Sequence, residues 1–273
     1  MAPLAHTGVD TALHQELAVA EAAARGAGAV IRDLYARAYD VREKSHDNPV
    51  TEADLRANEC IRSAIHGAFP DDGWLSEETA DSETRLTKPR VWIVDPLDGT
   101  KEFIQHIPEL CVCIALVTDG VPVLGISFNP IRDEMFAAAQ GLGLRLNGEV
   151  AHVSAVAELA AARVLASRSE DKRGEWDPYK AHVHVVLTGS VAYKLALIAA
   201  GRADATFSLT PKHEWDVCAG AALITEGGGT ITDSSGVPLR FNRPRPKLPG
   251  IIATNRVLFP AIRELIERER RTA

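Results

Sequence analysis

A chain of 273 residues, 46% hydrophobic and 25% charged, can bury a large core as one big domain or two coupled lobes, which sets aside disordered and solenoid architectures. Its 30 Lys+Arg against 37 Asp+Glu leave a formal charge of -7, which argues against a general surface for a nucleic acid polymer. A small phosphorylated metabolite stays admissible, because a local metal cluster can reverse the field inside one pocket.

Residues Met1 to Asp10 lack a basic start followed by an apolar core, so no secretory leader is expected, and no uncharged run reaches bilayer-spanning length. Residues from about Asp10 to Ala38 then read as a long Ala-rich helix with Leu13, Leu17, Ala20, Ala24, Ile31 and Leu34 along one side. Gly26 and Gly28 inside it lack a preceding strand and a third glycine, so they point to helix packing rather than to a dinucleotide fingerprint. After a loop at His46-Asp47-Asn48-Pro49, a second helix is predicted from Val50-Thr51-Glu52 to about Ala68. Thr51 and Asp54 have capping-box spacing there, and Val50 and Leu55 the spacing of a hydrophobic staple.

The apolar run Val91-Trp92-Ile93-Val94 reads as a buried strand that presents Asp95 at its end. Pro96 is expected to end the ladder, and Gly99 to let the backbone turn, so that Asp95, the Leu97 carbonyl, Asp98 and the Thr100 hydroxyl converge. Oxygens of that kind suit a hard cation. No His or Cys interrupts the run, which favours Mg²⁺ over zinc or copper. The same Asp-Pro and Asp-Gly steps are ordinary turn chemistry, so this segment alone leaves both readings open.

Farther along, Cys111 to Val117, Val121 to Phe128, Glu134 to Ala138 and Leu142 to Leu146 are predicted as antiparallel strands, punctuated by Asp119-Gly120 and Asn147-Gly148 turns. The second half alternates: strands Arg163 to Ala166 and Val183 to Leu187, helix Ser190 to Ala200, strand Ala203 to Leu209, and a helix near Trp215. Strands Gly229 to Asp233 and Gly250 to Thr254 and a charged final helix close the chain. This pattern predicts two α/β lobes, residues 1–150 and 151–273, the first antiparallel-rich. The stretch Asn242-Arg243-Pro244-Arg245-Pro246-Lys247 resembles a disordered segment in composition. Cys60, Cys111, Cys113 and Cys218 form no zinc spacing and read as reduced core residues of a cytoplasmic protein. Trp74, Trp92, Trp176 and Trp215 read as core or lobe-interface packing.

Four segments occur in a telling order: Thr51-Glu52-Ala53-Asp54, Leu75-Ser76-Glu77-Glu78, Asp95-Pro96-Leu97-Asp98-Gly99-Thr100 and Glu214-Trp215-Asp216-Val217-Cys218-Ala219-Gly220. They resemble the signature segments of the inositol monophosphatase superfamily, and the resemblance runs on through Thr225-Glu226-Gly227-Gly228-Gly229 to Thr254-Asn255. The continuation Lys101-Glu102-Phe103-Ile104 resembles the 3'(2'),5'-bisphosphate nucleotidase branch, whereas inositol monophosphatases usually continue Thr-Asn-Phe. Ser76 in place of a glycine points the same way.

The resemblance implies an α+β / α/β fold, a layered αβαβα sandwich of the sugar-phosphatase type, with the site between two coupled lobes. It implies two or three Mg²⁺ ions held by Glu77, Asp95, Asp98 and Asp216 with the Leu97 carbonyl, and a water held and deprotonated by Thr100 and Asp54. Elementary electrostatics agrees, since unit charges ~4 Å apart repel by about 4 kcal/mol at an effective dielectric of about 20, a cost that divalent cations offset. A capping role for Asp54 is compatible with this one, because its carboxylate has two oxygens. Substrate contacts are expected from Glu77, Leu97, Asp98, Gly99, Thr100 and Asp216, and from Ser167 and Arg168 at a strand end. Gly189 and Ser190, at an amide-rich helix start, are expected to bind the phosphate that is not cleaved. Lys194 on that helix, either cationic contact or solvated side chain, and His213 and Glu214 complete the set. Glu78 is expected to support the metal shell or pair with a base.

The expected activity is Mg²⁺-dependent hydrolysis of adenosine 3',5'-bisphosphate to AMP and phosphate, within sulfur assimilation and sensitive to lithium. Inositol-1-phosphate hydrolysis is the first alternative and fructose-1,6-bisphosphatase activity the next. A non-catalytic metabolite-binding protein is the alternative from another class. Monomer and homodimer both stay open.

Overall fold

The computed structural model describes residues 13–37, 41–45 and 48–272. Its first element is α1 (His14–Tyr35), followed by a hairpin of β1 (Val41–Ser45) and β2 (Asn48–Thr51) and by α2 (Glu52–Ala68). The outer ends of the predicted first helix, Asp10 and Ala38, and the His46-Asp47 half of the predicted loop lie outside the described residues. Asn48 and Pro49, expected in that loop, belong to β2, where a two-stranded edge tolerates a proline. The capping box at α2 is formed: the Thr51 hydroxyl accepts from the Ala53 N–H at 3.1 Å, and Asp54 Oδ2 accepts from the Thr51 N–H at 2.7 Å. Of the residues with staple spacing, Val50 is buried and Leu55 is 45% exposed.

Next come β3 (Gly73–Ser76), β4 (Arg90–Asp98), α3 (Thr100–Ile104), β5 (Cys111–Thr118), β6 (Val121–Asn129), β7 (Glu134–Ala139), β8 (Gly143–Leu146) and β9 (Glu149–Ala151). They form a seven-stranded sheet in sequential order. Its first pair is parallel, and every later pair is antiparallel. Pro96 does not end the ladder as expected. β4 continues to Asp98, with a register shift against β5 between Asp95 and Asp98, and such a bulge accommodates a residue that has no N–H to give.

The second half contributes β10 (Arg163–Ala166), α4 (Arg168–Lys172), β11 (His184–Leu187), α5 (Val191–Ala199), β12 (Ala205–Ser208), β13 (Lys212–His213) and α6 (Glu214–Glu226). After these come β14 (Thr230–Thr232), β15 (Lys247–Leu248), β16 (Ile251–Thr254) and α7 (Phe259–Thr272). A five-stranded sheet runs β11-β10-β12-β16-β14, parallel across its first three strands and antiparallel beyond.

Strand alternation decides the layers. Trp92, Val94, Val112, Ile114 and Leu116 face Ala20, Ala24, Ile31, Ala57 and Ile61 of α1 and α2. Their neighbours Val91, Ile93, Cys113, Ala115 and Val117 face the other way, onto Leu195 and Ile198 of α5 and Val217 and Ala221 of α6. The opposite side of α5 and α6 meets Leu165, Ile251 and Ala253 of the second sheet, whose far face packs Val164, Ala205 and Ile252 against Ile262 and Ile266 of α7. The result is an αβαβα sandwich. α6 belongs to the second half of the sequence yet lies directly on the first sheet: a Cβ added at Gly125 of β6 would sit 2.3 Å from the Ala219 carbonyl oxygen. That close approach carries Asp216 to the first sheet.

Residues 242–247 are not a disordered strap. Lys247 pairs in β15 with His213 of β13, and the Asn242 and Arg243 amides are anchored on Glu214. Cys111, Cys113 and Cys218 are buried free thiols, and Cys60 is half-buried. Trp92 and Trp176 are buried, while Trp74 and Trp215 are half-buried. Among the described residues no helix is long and apolar enough to cross a membrane.

Candidate active site

The end of β4, the start of α3 and the starts of α4, α5 and α6 surround one cavity of about 740 Å³. Glu77, Asp95, Leu97, Asp98, Gly99, Thr100 and Asp216 all line it. Gly99 makes this possible, because its φ of +105° is a conformation that L side chains rarely adopt and it turns the chain from β4 directly into α3. Glu77 is brought in from the end of β3, where its N–H donates to the Val94 carbonyl at 3.2 Å.

Each carboxylate is held differently. Asp95 is 1% exposed, and its Oδ1 accepts from the Leu97 N–H at 3.0 Å. Burial raises its pKa well above its ordinary value, and the charges of Glu77, Asp98 and Asp216 push the same way. Asp216 is likewise raised by burial and by Asp98 and Glu77, although its Oδ2 accepts from the His213 N–H at 3.1 Å. Asp98 is raised less freely. Burial lifts it, while Ser190, the Ala192 amide, Lys194 and Lys212 hold it down. Among the described residues no three His, Cys, Asp or Glu side chains stand in a ready-made cage for one ion. The carboxylates instead share a cavity and feel one another's charge. That arrangement suits an ion that keeps several waters and takes only one or two carboxylates.

Asp54 lies behind the cavity wall, 2% exposed. Its Oδ2 accepts from the Thr51 N–H and from the Thr51 hydroxyl at 2.6 Å, and its Oδ1 accepts from the Thr100 hydroxyl at 2.8 Å. Capping and the link to Thr100 therefore use separate oxygens of one carboxylate.

The amino end of α5 does not stand open for a phosphate. The Ser190 hydroxyl and the Ala192 N–H both donate to Asp98 Oδ2 at 2.6 Å, and the Gly189 N–H donates to Glu109 Oε2 at 2.6 Å. A helix amino terminus favours an anion, and here Asp98 is that anion. Ser190 still lines the cavity, whereas Gly189 does not. Glu214 is absent from the wall as well. It is fully buried, Oε2 accepting from the Asn242 N–H at 2.6 Å and Oε1 from the Arg243 N–H at 3.1 Å, and burial pushes its carboxyl up to about 7.

Lys194 is not a solvated lysine. It is buried on the wall, with Nζ 3.4 Å from the Thr188 carbonyl, and burial lowers its pKa against the pull of Glu170, Asp98 and Glu102. Ser167 and Arg168 reach the cavity, and the Arg168 guanidinium is held by Glu109 with Glu102 at 3.9 Å. The His213 ring stacks on Trp215 at 4.4 Å and 10°, and both line the cavity.

Lys101, Glu102, Lys172, Lys212 and Trp215 also line the wall; in the sequence the first two stand only as a branch marker and Trp215 only as packing, and Lys172 and Lys212 are not singled out. Lys212 directly precedes the His213-Glu214-Trp215-Asp216 segment, which was its available signal. Its partner Glu170, bonded to Lys212 Nζ at 2.8 Å, lies two residues beyond Arg168.

The family model of the inositol monophosphatase family matches residues 12–271. The chain is 35% identical over 236 residues to inositol monophosphatase 3 of Solanum lycopersicum, spanning 82% of this chain and 88% of that one. It is also 35% identical over 223 residues to the 3'(2'),5'-bisphosphate nucleotidase CysQ of Escherichia coli O157:H7, spanning 80% and 90%. Among solved structures, the inositol monophosphatase of Anabaena (Nostoc) superposes with a TM-score of 0.80 at 29% identity, over 94% of this chain and 97% of that one. The layered fold, the order of the four acidic segments and these likenesses agree: the chain belongs to the inositol monophosphatase family, a family of metal-dependent phosphatases of small phosphorylated metabolites.

Proposed function

We propose that the chain is a Mg²⁺-dependent phosphomonoesterase that hydrolyses adenosine 3',5'-bisphosphate to AMP and phosphate. The observation that carries this reading is one nucleotide-sized cavity holding both an acidic cluster and the cations Lys101, Arg168, Lys172, Lys194 and Lys212. The acidic cluster suits the phosphate to be cleaved, through bound cations. The positive side chains suit a second phosphate, which a bisphosphate nucleotide has and an inositol monophosphate lacks.

The donor set fits Mg²⁺, since Glu77, Asp95, Asp98, Asp216 and the Leu97 carbonyl offer only oxygens and the buried carboxylates repel one another unless neutralised. These residues would hold two or three ions. When bound, Mg²⁺ supplies acidity to a water and positive charge to the phosphate oxygens. The chain's own contribution to the proton path is the Thr100–Asp54 pair. Thr100 Oγ1 takes the water's proton as its own passes to Asp54 Oδ1, 2.8 Å away, and Thr51 fixes that carboxylate from behind. Asp98, locked by Ser190 and Ala192 through Oδ2, keeps Oδ1 for a cation. The free thiols suit a reducing cytoplasm, and sulfur assimilation is the setting where this substrate arises.

Equal identity to inositol monophosphatases supports inositol-1-phosphate hydrolysis as the second reading. Steady-state kinetics with adenosine 3',5'-bisphosphate, inositol 1-phosphate and fructose 1,6-bisphosphate separates them. The nucleotide is expected to give the highest kcat/KM, and a preference for the inositol compound overturns the branch assignment. Mg²⁺-dependent binding without phosphate release from any of the three would leave a binding protein.

A further inference from the structure

We propose that Arg85 and residues 241–248 form a positioning device that sets the separation of Glu77 from Asp216; the inference rests on the reading of both as cation ligands. These two carboxylates come from distant parts of the sequence, Glu77 from the end of β3 and Asp216 from the first turn of α6. A 3₁₀ turn at Glu83–Thr87 follows Glu77 and carries Arg85, which is 2% exposed and lies outside the cavity wall.

Its guanidinium is bidentate to Asp81, Nε to Oδ1 at 2.7 Å and Nη2 to Oδ2 at 2.8 Å. The remaining donors cross to the other half of the chain. Nη1 donates to Asn242 Oδ1 at 2.7 Å and Nη2 to the Arg243 carbonyl at 3.1 Å, while Asn242 Nδ2 donates back to the Arg85 carbonyl at 3.3 Å. Asn242 and Arg243 then pass the connection on through their amides to the two oxygens of Glu214, and the Glu214 N–H donates to the Pro246 carbonyl at 3.0 Å. Glu214 opens α6, two residues before Asp216.

The connection is continuous from the turn beyond Glu77 to the helix that carries Asp216, and Arg85, Asn242 and Glu214 all lie off the cavity wall. A planar guanidinium that is bidentate to one carboxylate on one side and bonds two acceptors on the other fixes distance and orientation together, which a flexible ammonium would not. Asn242 sits at φ +58°, a backbone state that Asn tolerates and glycine adopts freely. Its side chain is therefore separable from its backbone. Partners bonded directly to a ligand are worth about 10- to 100-fold in metal affinity, and a device acting one step further out should fall at the low end of that range.

The test is calorimetric Mg²⁺ binding by the full chain without substrate, for wild type, Asn242→Gly and Arg85→Gln, with melting in EDTA measured in parallel. Asn242→Gly keeps the backbone conformation, the amide on Glu214 and the Arg243 carbonyl on Arg85, and removes the two side-chain bonds between Asn242 and Arg85. The expected result is Mg²⁺ binding weakened roughly 10-fold in Asn242→Gly, with kcat restored at saturating Mg²⁺. Unchanged Mg²⁺ affinity in folded Asn242→Gly, whether or not its melting temperature falls, overturns the proposal, and a folded Arg85→Gln that binds like wild type does the same. Failure of the wild-type chain to bind Mg²⁺ at all overturns the cation-ligand reading itself, and this inference with it.

Discussion

Replacing Asp95 by Asn should stabilise the metal-free protein while depriving it of its response to Mg²⁺. Asp95 is 1% exposed, and burial followed by the charges of Glu77, Asp98 and Asp216 raises its pKa. The sign follows from proton linkage. A carboxyl whose folded pKa exceeds its unfolded value of about 3.9 holds more protons when folded, so stability is full at low pH and is lost as pH rises toward the folded value. The mutual repulsion of the metal-free cluster grows as rising pH ionises its carboxyls. Two unit charges ~8 Å apart at an effective dielectric of about 20 repel by roughly 2 kcal/mol, which sets the scale of the relief when one charge is removed. The amide oxygen of Asn can keep the 3.0 Å bond from the Leu97 N–H. At about 2–4 °C per kcal/mol for a chain of this size, the variant should melt ~4–8 °C above wild type in EDTA. Mg²⁺ at about 100 times its Kd adds about 2.7 kcal/mol, so wild type should gain roughly 5–11 °C and the variant much less. Calorimetric melts with EDTA and with saturating Mg²⁺ measure both effects. A variant that melts below wild type in EDTA, or gains as much from Mg²⁺, refutes the reasoning.

Asp98→Asn should abolish phosphate release with a small effect on folding, since one acceptor remains for Ser190 and Ala192; near-normal turnover would count against the site. Thr100→Val should lower kcat by about 10²-fold or more while leaving the melting temperature close to wild type, because Asp54 keeps both bonds to Thr51. A parallel fall in stability and activity would instead mark Thr100 as structural. Millimolar Li⁺ should inhibit by competing for one cation position, as measured in phosphate-release assays at fixed Mg²⁺, and insensitivity there would weaken the assignment.

The elements most legible from residues alone were those with a strong local period. β5 to β7 alternate cleanly between two buried faces, and the segment from Asp95 to Thr100 carries its ligands within six residues. β1 was invisible because Val-Arg-Glu-Lys-Ser has no apolar alternation, and the extension of β4 was hidden by Pro96, which a bulge accommodates. Residues 242–247 have the composition of a linker, yet Arg85 and Glu214 hold their polar groups from positions more than 25 residues away in the sequence. Nothing local announces such partners. For the same reason Asp98 at the amino end of α5 was not legible: the chemistry there selects a negative group, and only the tertiary fold places Asp98 against it. Lys194 stays open in the sequence between cationic contact and solvated side chain, and the sandwiching of α5 between two sheets buries it.

The claim beneath this account is that Glu77, Asp95, the Leu97 carbonyl, Asp98 and Asp216 share bound cations. Anomalous diffraction from crystals grown with Mn²⁺ in place of Mg²⁺ tests it most directly. Two or three peaks among those oxygens are expected, with Thr100 alongside. A fully loaded crystal whose manganese lies elsewhere, with the cavity free of anomalous signal, would contradict it.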